Sequence, residues 1–299
     1  MAKKKKSRSS KGLYSICFAD MMMTKETVEK VQHDLFEMLL DIKTVCDENN
    51  IDYILIDGTL LGAVRHHGFI PWDDDIDLGM LRSEYLRFAD AFRKKFGDKY
   101  IIGEPLDKDY VFKAVKIFKP GTKFVEIPYA GLNKYDMLFI DIFLIERVPA
   151  PGFAHKMKGK LYNLCYKASS VCVDYKYPSP PIMERAKDNE ELADYYRTRR
   201  RLGSFFSHIG GMKFYIKMCE RLADQKKETG WYGRPSDEGY FYENYEAHYY
   251  TELTTMEFCG AEFKIPAAYD EFLTRMYGNY MRVPDEKDRK YHIAYKVEL

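Results

Sequence analysis

Asp75 and Asp77 stand one residue apart, with Trp72, Ile76 and Leu78 packed around them in the chain. They close the stretch Asp57-Gly-Thr-Leu-Leu-Gly-Ala-Val-Arg-His-His-Gly-Phe-Ile-Pro-Trp-Asp-Asp-Asp-Ile-Asp77, which holds five Asp, four of them within five residues (Asp73, Asp74, Asp75, Asp77). A solvated acidic patch has no need of those apolar neighbours. Along a strand side chains alternate between faces, so residues i and i+2 point the same way. Read as a strand over 75–80, Asp75 and Asp77 meet one site while Ile76 and Leu78 enter the core. A buried pair of like charges is costly unless cations neutralise it.

A second acid breaks an apolar run. Asp141 interrupts Leu138-Phe-Ile-Asp-Ile-Phe-Leu144, where a ligand role or a strong ion pair is the readiest reason for a carboxylate. Asp75, Asp77 and Asp141 therefore form a candidate metal site for Mg2+, two ions in the fullest reading, with Mn2+ as the alternative. Two such ions ~3.5–4 Å apart orient an attacking hydroxyl and cover donor phosphates, the pattern of phosphoryl and nucleotidyl transfer.

Gly58-Thr59 supplies the phosphate side. Gly58 lets the backbone approach a phosphate, Thr59 offers a hydroxyl, and the turn that follows presents free amides. Arg65 and Lys116 are candidate donor-phosphate ligands, with Lys113 the other lysine near that strand. Asp73 and Asp74 remain open between groups that orient the ligands, a base for an acceptor hydroxyl, and turn residues. His66 and His67 read equally well as assisting groups or as exposed loop.

The periodicity predicts an α+β chain. Val28, Val31, Leu35, Leu39, Ile42 and Cys46 mark a helix over 26–48, with Thr24 or Thr27 as N-cap. A strand follows at 51–56, a helical turn at 59–65, and a second amphipathic helix at 82–95. Strands are expected at 110–117, 135–145 and 262–265, with 123–128 pairing to the first of these. Helices over 154–174, 186–208 and 212–226 suggest a helical second lobe, and a last helix spans 268–277. The expected division is a basic flexible tail over 1–25, a catalytic core over 26–150, and a helical lobe with a returning C-terminal segment over 151–299.

Composition narrows the class. The chain has 299 residues, 46% hydrophobic and 31% charged, as a soluble globular protein has. Net charge is +1, yet the first 19 residues carry six basic groups (Lys3, Lys4, Lys5, Lys6, Arg8, Lys11) and no acid. A basic tail on an acidic body does not fit a nucleic-acid-binding protein. The tail reads as a solvated start, or as loose attraction to an anionic membrane through residues 3–11. No apolar run reaches membrane-helix length and no signal peptide is visible. Six scattered cysteines match no disulfide or zinc pattern, so a reducing cytoplasm is the expected compartment, with the inner membrane face as its variant.

The stretch Gly58–Asp77 resembles the signature of the LicD family, whose relatives include fukutin and fukutin-related protein. Cys46–Ile54 resembles the approach to that signature, and Phe139-Ile-Asp-Ile-Phe143 its second acidic motif. Ile265-Pro266, Tyr269, Leu273, Tyr277-Gly-Asn-Tyr-Met281, Pro284, Arg289 and His292 resemble its C-terminal block, on a tail expected to fold back over the site. Arg289 and His292 are taken as donor-binding candidates. Leu144 and Asn279 stand where the family often has Pro and Asp, and neither is a proposed ligand.

The resemblance implies a nucleotidyltransferase-type fold with a small mixed sheet flanked by helices. It places the glycine motif at Gly58-Thr59, the paired acids at Asp75 and Asp77, and the later acid at Asp141. It implies transfer of a phospho-alcohol from a CDP-linked donor to a hydroxyl of a glycan or its lipid-linked precursor, with release of CMP. Bacterial members are similar to phosphocholine transferases acting on teichoic acid or lipopolysaccharide sugars, and the animal relatives use CDP-ribitol. The alternatives are a nucleotidyltransferase releasing pyrophosphate from CTP, and a non-catalytic glycan- or nucleotide-binding module. A choline donor calls for an aromatic cage, for which Tyr240–Tyr250 is the candidate stretch.

Overall fold

A computed structural model describes residues 10–299 apart from 133, 224, 237, 238, 290 and 292. Helices α1 (Ser10–Cys17), α2 (Lys25–Asn49), strand β1 (Ile54–Leu55) and α3 (Asp57–His66) open the chain. There follow β2 (Asp77–Leu81), α4 (Arg82–Phe96), β3 (Ile101–Gly103), β4 (Val115–Lys119), β5 (Lys123–Glu126) and β6 (Leu138–Arg147). Helices α5 (Phe153–Lys176), α6 (Pro180–Arg185), α7 (Glu190–Ile209) and α8 (Gly211–Ala223) make the helical lobe. The chain returns through β7 (Trp231–Gly233), β8 (Tyr245–Glu246), α9 (His248–Thr251), β9 (Leu253–Phe258), β10 (Ala261–Pro266), α10 (Tyr269–Tyr277) and β11 (Ala294–Glu298).

The main sheet is mixed. Its order is β1-β2-β6-β4-β3, with β7 on the end of β6 and β8 beyond it. Strands β2 and β6 run parallel, and the other neighbours are antiparallel. β6 is apolar on both faces because the sheet is covered on both sides. The α+β class with a separate, mainly helical lobe is as expected.

Helix α2 shows how sequence sets an element. The Thr24 hydroxyl accepts from Thr27 N–H, and Asn50 closes the helix in the left-handed region at φ 48°. Its buried stripe runs Val28, Val31, Leu35, Leu39, Ile42 and Cys46. From that face Gln32 donates its side-chain amide to the Ile70 and Asp73 carbonyls at 3.2 and 2.8 Å. The first long helix thus pins the acidic loop.

Several sequence boundaries shift. The strand expected at 51–56 pairs only at Ile54–Leu55, opposite Gly79 and Leu78. The one expected at 110–117 pairs over Val115–Lys119, since Tyr110–Ala114 turn inward before the ladder starts. Residues 123–126 do not pair with that strand. Both edges of β4 are taken, by β6 and β3, so β5 pairs instead with β11 from the C-terminus.

The described part of the N-terminal segment is ordered into the lobe. Leu13, Cys17 and Phe18 pack with Ile127, Ile182, Leu192 and Tyr196 in a satellite core, where the sequence reading has a flexible tail through residue 25. Lys3, Lys4, Lys5, Lys6 and Arg8 lie outside the described residues. Among the described residues no helix is long and apolar enough to cross a membrane.

Candidate active site

Strand register assembles the centre of the site. Asp77, the first residue of β2, lies opposite Asp141 on β6, and Asp141 lies opposite Lys116 on β4. Paired positions on neighbouring strands share a face and sit about 4.8 Å apart, so Asp77, Asp141 and Lys116 form one row across the sheet. Ile76 and Leu78 are fully buried beneath it. The Lys116 ammonium is 2.9 Å from the Asp141 carboxylate oxygens and rests on the face of Phe139. Only 5% of Lys116 is exposed, so its charge is met by Asp141 rather than by water.

Asp75 differs from its expected place. The ladder begins at Asp77, and Asp75 stands just ahead of it in the approach to the strand. The reason is local: the Asp73 N–H is committed to the Ile70 carbonyl, and pairing resumes only where the Asp141 N–H reaches the Ile76 carbonyl at 3.1 Å. The ladder sets Asp77 level with Asp141, and burial alternates from Asp74 to Leu78, with Asp75 and Asp77 both on the less buried side of the chain.

The N-terminus of α3 lies beside this row. Thr59 Oγ1 accepts the Asp77 backbone N–H at 2.9 Å, tying the first turn of the helix to the first residue of the strand. Gly58 is needed for close approach: a Cβ there would lie 2.6 Å from Asp73 Oδ2. Asp73 is half-buried and Asp74 is 4% exposed. Arg65, near the other end of α3, donates to the Tyr280 carbonyl at 2.8 Å and to His66 Nε2 at 2.9 Å. Desolvation first, and then the Arg65 charge, push the His66 pKa down.

Arg234 and Glu243, which the sequence reading did not single out, hold the helix start through Asp57. Asp57 adopts a left-handed conformation at φ 48°, uncommon for a residue with a Cβ. Arg234 grips its carboxylate with both terminal nitrogens and also binds Glu243. The Arg234 side chain is wholly buried, and those of Glu243 and Asp57 are 2% and 14% exposed. Arg234 follows β7 in a Tyr- and Gly-rich stretch without periodicity, so no sequence signal tied it to Asp57 across 177 positions.

The C-terminal segment returns to the same place. Tyr280 meets Arg65, and the Arg289 guanidinium stacks on Trp72 at 4.3 Å. The Tyr277 phenol is raised in pKa, first by desolvation and then by the charge of Asp57, with Asp77 a further contributor. Its residue is 44% exposed, so solvent screens part of that repulsion. His292 lies outside the described residues.

Most tyrosines of 240–250 are already engaged, and Tyr242, half-buried, is the one that acts on Tyr277 near Asp57. Tyr240, Tyr249 and Tyr250 are buried, Tyr245 and Tyr249 are covered by the Arg275 guanidinium, and the Tyr250 hydroxyl donates to the Glu243 carbonyl. Tyr240, Tyr245, Tyr249 and Tyr250 thus pack within the fold.

The carboxylates suit a hard divalent ion in chemistry, being oxygen donors without thiol or imidazole. The register brings Asp77 and Asp141 together, whereas Asp75 lies outside the ladder. Among the described residues no group of three His, Cys, Asp or Glu side chains converges closely enough to hold a metal as it stands.

Comparison with known proteins finds similarity across the same region. Residues 50–168 match the family model described as LicD/FKTN/FKRP, nucleotidyltransferase domain. The lipopolysaccharide cholinephosphotransferase LicD of Haemophilus influenzae is 29% identical over 275 residues, which cover 90% of this chain and 97% of that protein. An uncharacterized protein of Rickettsia prowazekii is 46% identical over 149 residues, about half of each chain (50% and 51%). The chain is therefore similar to the LicD/FKTN/FKRP nucleotidyltransferase domain over residues 50–168 and to a LicD protein over most of its length.

Proposed function

We propose that the protein transfers a phospho-alcohol, phosphocholine foremost, from a CDP-linked donor to a hydroxyl of a cell-surface glycan or its lipid-linked precursor. The observation that carries the reading is the register that puts Asp77 level with Asp141, beside the helix start at Gly58-Thr59. The relation to a lipopolysaccharide cholinephosphotransferase over 90% of the chain supports the donor class.

Asp75, Asp77 and Asp141 are the carboxylates that would hold a divalent cation once their side chains converge, and the cation would supply charge cancellation on the donor phosphates. The remaining roles belong to the chain itself. The α3 N-terminus offers backbone amides to the donor, with Gly58 keeping that surface open. Arg65, held by the Tyr280 carbonyl, and Arg289, stacked on Trp72, close the donor side. Lys116 balances Asp141 and lies within reach of the row. Asp73, half-buried at the mouth, is better placed than the buried Asp74 to receive the acceptor proton. The acceptor oxygen forms a bond to the phosphorus that carries the alcohol, and the bond from that phosphorus to CMP breaks. CMP keeps the electron pair and the Asp73 carboxylate takes the hydroxyl proton.

The test is product analysis with magnesium and CDP-choline, CDP-ribitol, CDP-glycerol or CTP. CMP release that depends on an acceptor, and that Asp75→Ala abolishes without unfolding the protein, supports the reading. Pyrophosphate release from CTP would replace it with nucleotidyl transfer. Full activity of Asp75→Ala would remove the assigned centre.

A further inference from the structure

The longest helix of the lobe exposes a face that a soluble core would hide. On α5, Phe153 is 81% exposed, Met157 50%, Leu161 44% and Leu164 54%. Steps of four, four and three put them on one stripe. The other charged residues exposed along that stretch are Lys156, Lys160 and Lys167. The sole acid of α5, Asp174, is buried and paired with Arg199.

The neighbouring helix repeats the pattern. α7 packs tightly on α5, since a Cβ at Gly203 would fall 2.0 Å from the Val171 carbonyl oxygen. Leu202, Phe205 and Ile209 of α7 are 46%, 59% and 61% exposed, and the exposed ionisable residues among them are Arg201 and His208.

We infer that the lobe docks on an anionic lipid surface through α5, with the C-terminal half of α7 extending the contact. An amphipathic helix with Phe, Leu and Met beside lysines suits the interface plane of a membrane, where apolar side chains enter the acyl boundary and cations meet headgroups. Crossing is not involved, because no described helix is long and apolar enough. The charge of the face selects this occupant over a second copy of the chain. A symmetric dimer brings the same patch of both subunits together, crowding Lys156, Lys160 and Lys167 of one copy against the like-charged patch of the other. The inference does not depend on the transfer chemistry, because binding is measured without substrate.

Sedimentation of the full-length protein with vesicles tests it. Vesicles of equal phosphatidylglycerol and phosphatidylcholine are expected to pellet the protein, and phosphatidylcholine alone to pellet far less. Lys156→Gln with Lys160→Gln should weaken partitioning on the order of tenfold. Met157→Asp with Leu161→Asp should weaken it at least as much, with circular dichroism and melting temperature unchanged because the sites are exposed. Lys30→Gln with Lys94→Gln, on α2 and α4, should leave it unaltered. Four results overturn the inference: no pelleting with anionic vesicles, unchanged pelleting of both α5 variants, or loss only when Lys3, Lys4, Lys5 and Lys6 become Gln. The fourth is a concentration-dependent dimer that the α5 variants dissolve while vesicle binding is absent.

Discussion

Replacing Arg234 by Met leaves two buried carboxylates facing an apolar side chain of similar length. Arg234 is wholly buried, Glu243 nearly so and Asp57 largely so. Removing one partner of a buried ion pair costs about 3–5 kcal/mol, because the remaining charge loses its compensation without regaining water. With roughly 2.1 cal/mol/K of unfolding entropy per residue, the melting temperature falls by about 5–8 °C. Urea denaturation of Arg234→Met, Asp57→Asn and the double variant measures the coupling. The double variant should be less destabilised than the sum of the two by more than about 1 kcal/mol. Arg234→Lys keeps the charge but loses the two-pronged grip, so it should fall between. Since Asp57 begins α3 in a strained conformation, donor affinity should drop with stability. Additive losses, or a loss in Arg234→Met below about 1 kcal/mol, would refute the view that this ion pair holds the helix start.

Gly58→Ala drives a methyl to 2.6 Å from Asp73 Oδ2, so it should displace the Asp73 carboxylate and lower activity while costing no more than about 1 kcal/mol of stability, and Asp73→Ala in the same chain should leave it at least as stable as Asp73→Ala alone. Asp141→Asn should lower the melting temperature, because Lys116 is buried beside it, and should erase any magnesium-dependent thermal shift with CDP-choline. Lys113 rests on Tyr166, and burial lowers its pKa from 10.5 to about 8. Between those values the unfolded chain binds more protons at this group than the folded one, so its contribution to stability rises with pH across that window. Buried cysteines and tyrosines with raised pKa values pull stability down over the same interval, so the test is the difference: from pH 8 to pH 10 Lys113→Met should lose more stability than the parent. Equal changes in the two would mean that Lys113 does not contribute.

Much of the frame was readable because it rests on local rules. The stripe of α2, its Thr24 cap and the apolar run of β6 follow from periodicity and side-chain chemistry within a few residues. Asp141 stood out for the same reason, as a carboxylate in an apolar strand. Strand partners were less readable. Nothing within 123–128 says that its neighbour comes from 294–298 rather than from β4, because pairing depends on which edges are already taken. The start of β2 moved for a related reason: the loop that Gln32 and Gly58 hold in place delays the ladder past Asp75.

The sequence by itself determined the acids, the glycine that must stay bare beside them, and the alternation of elements that builds a mixed sheet and a helical lobe. These are properties of residue type and short spacing. The tertiary structure decided the company the acids keep. Parallel register set Asp77 level with Asp141, antiparallel register brought Lys116 to the same row, and a returning chain supplied Arg234 to Asp57 and Arg289 to Trp72. Such contacts join residues far apart in the chain, and they form only once the sheet has fixed its order and its edges.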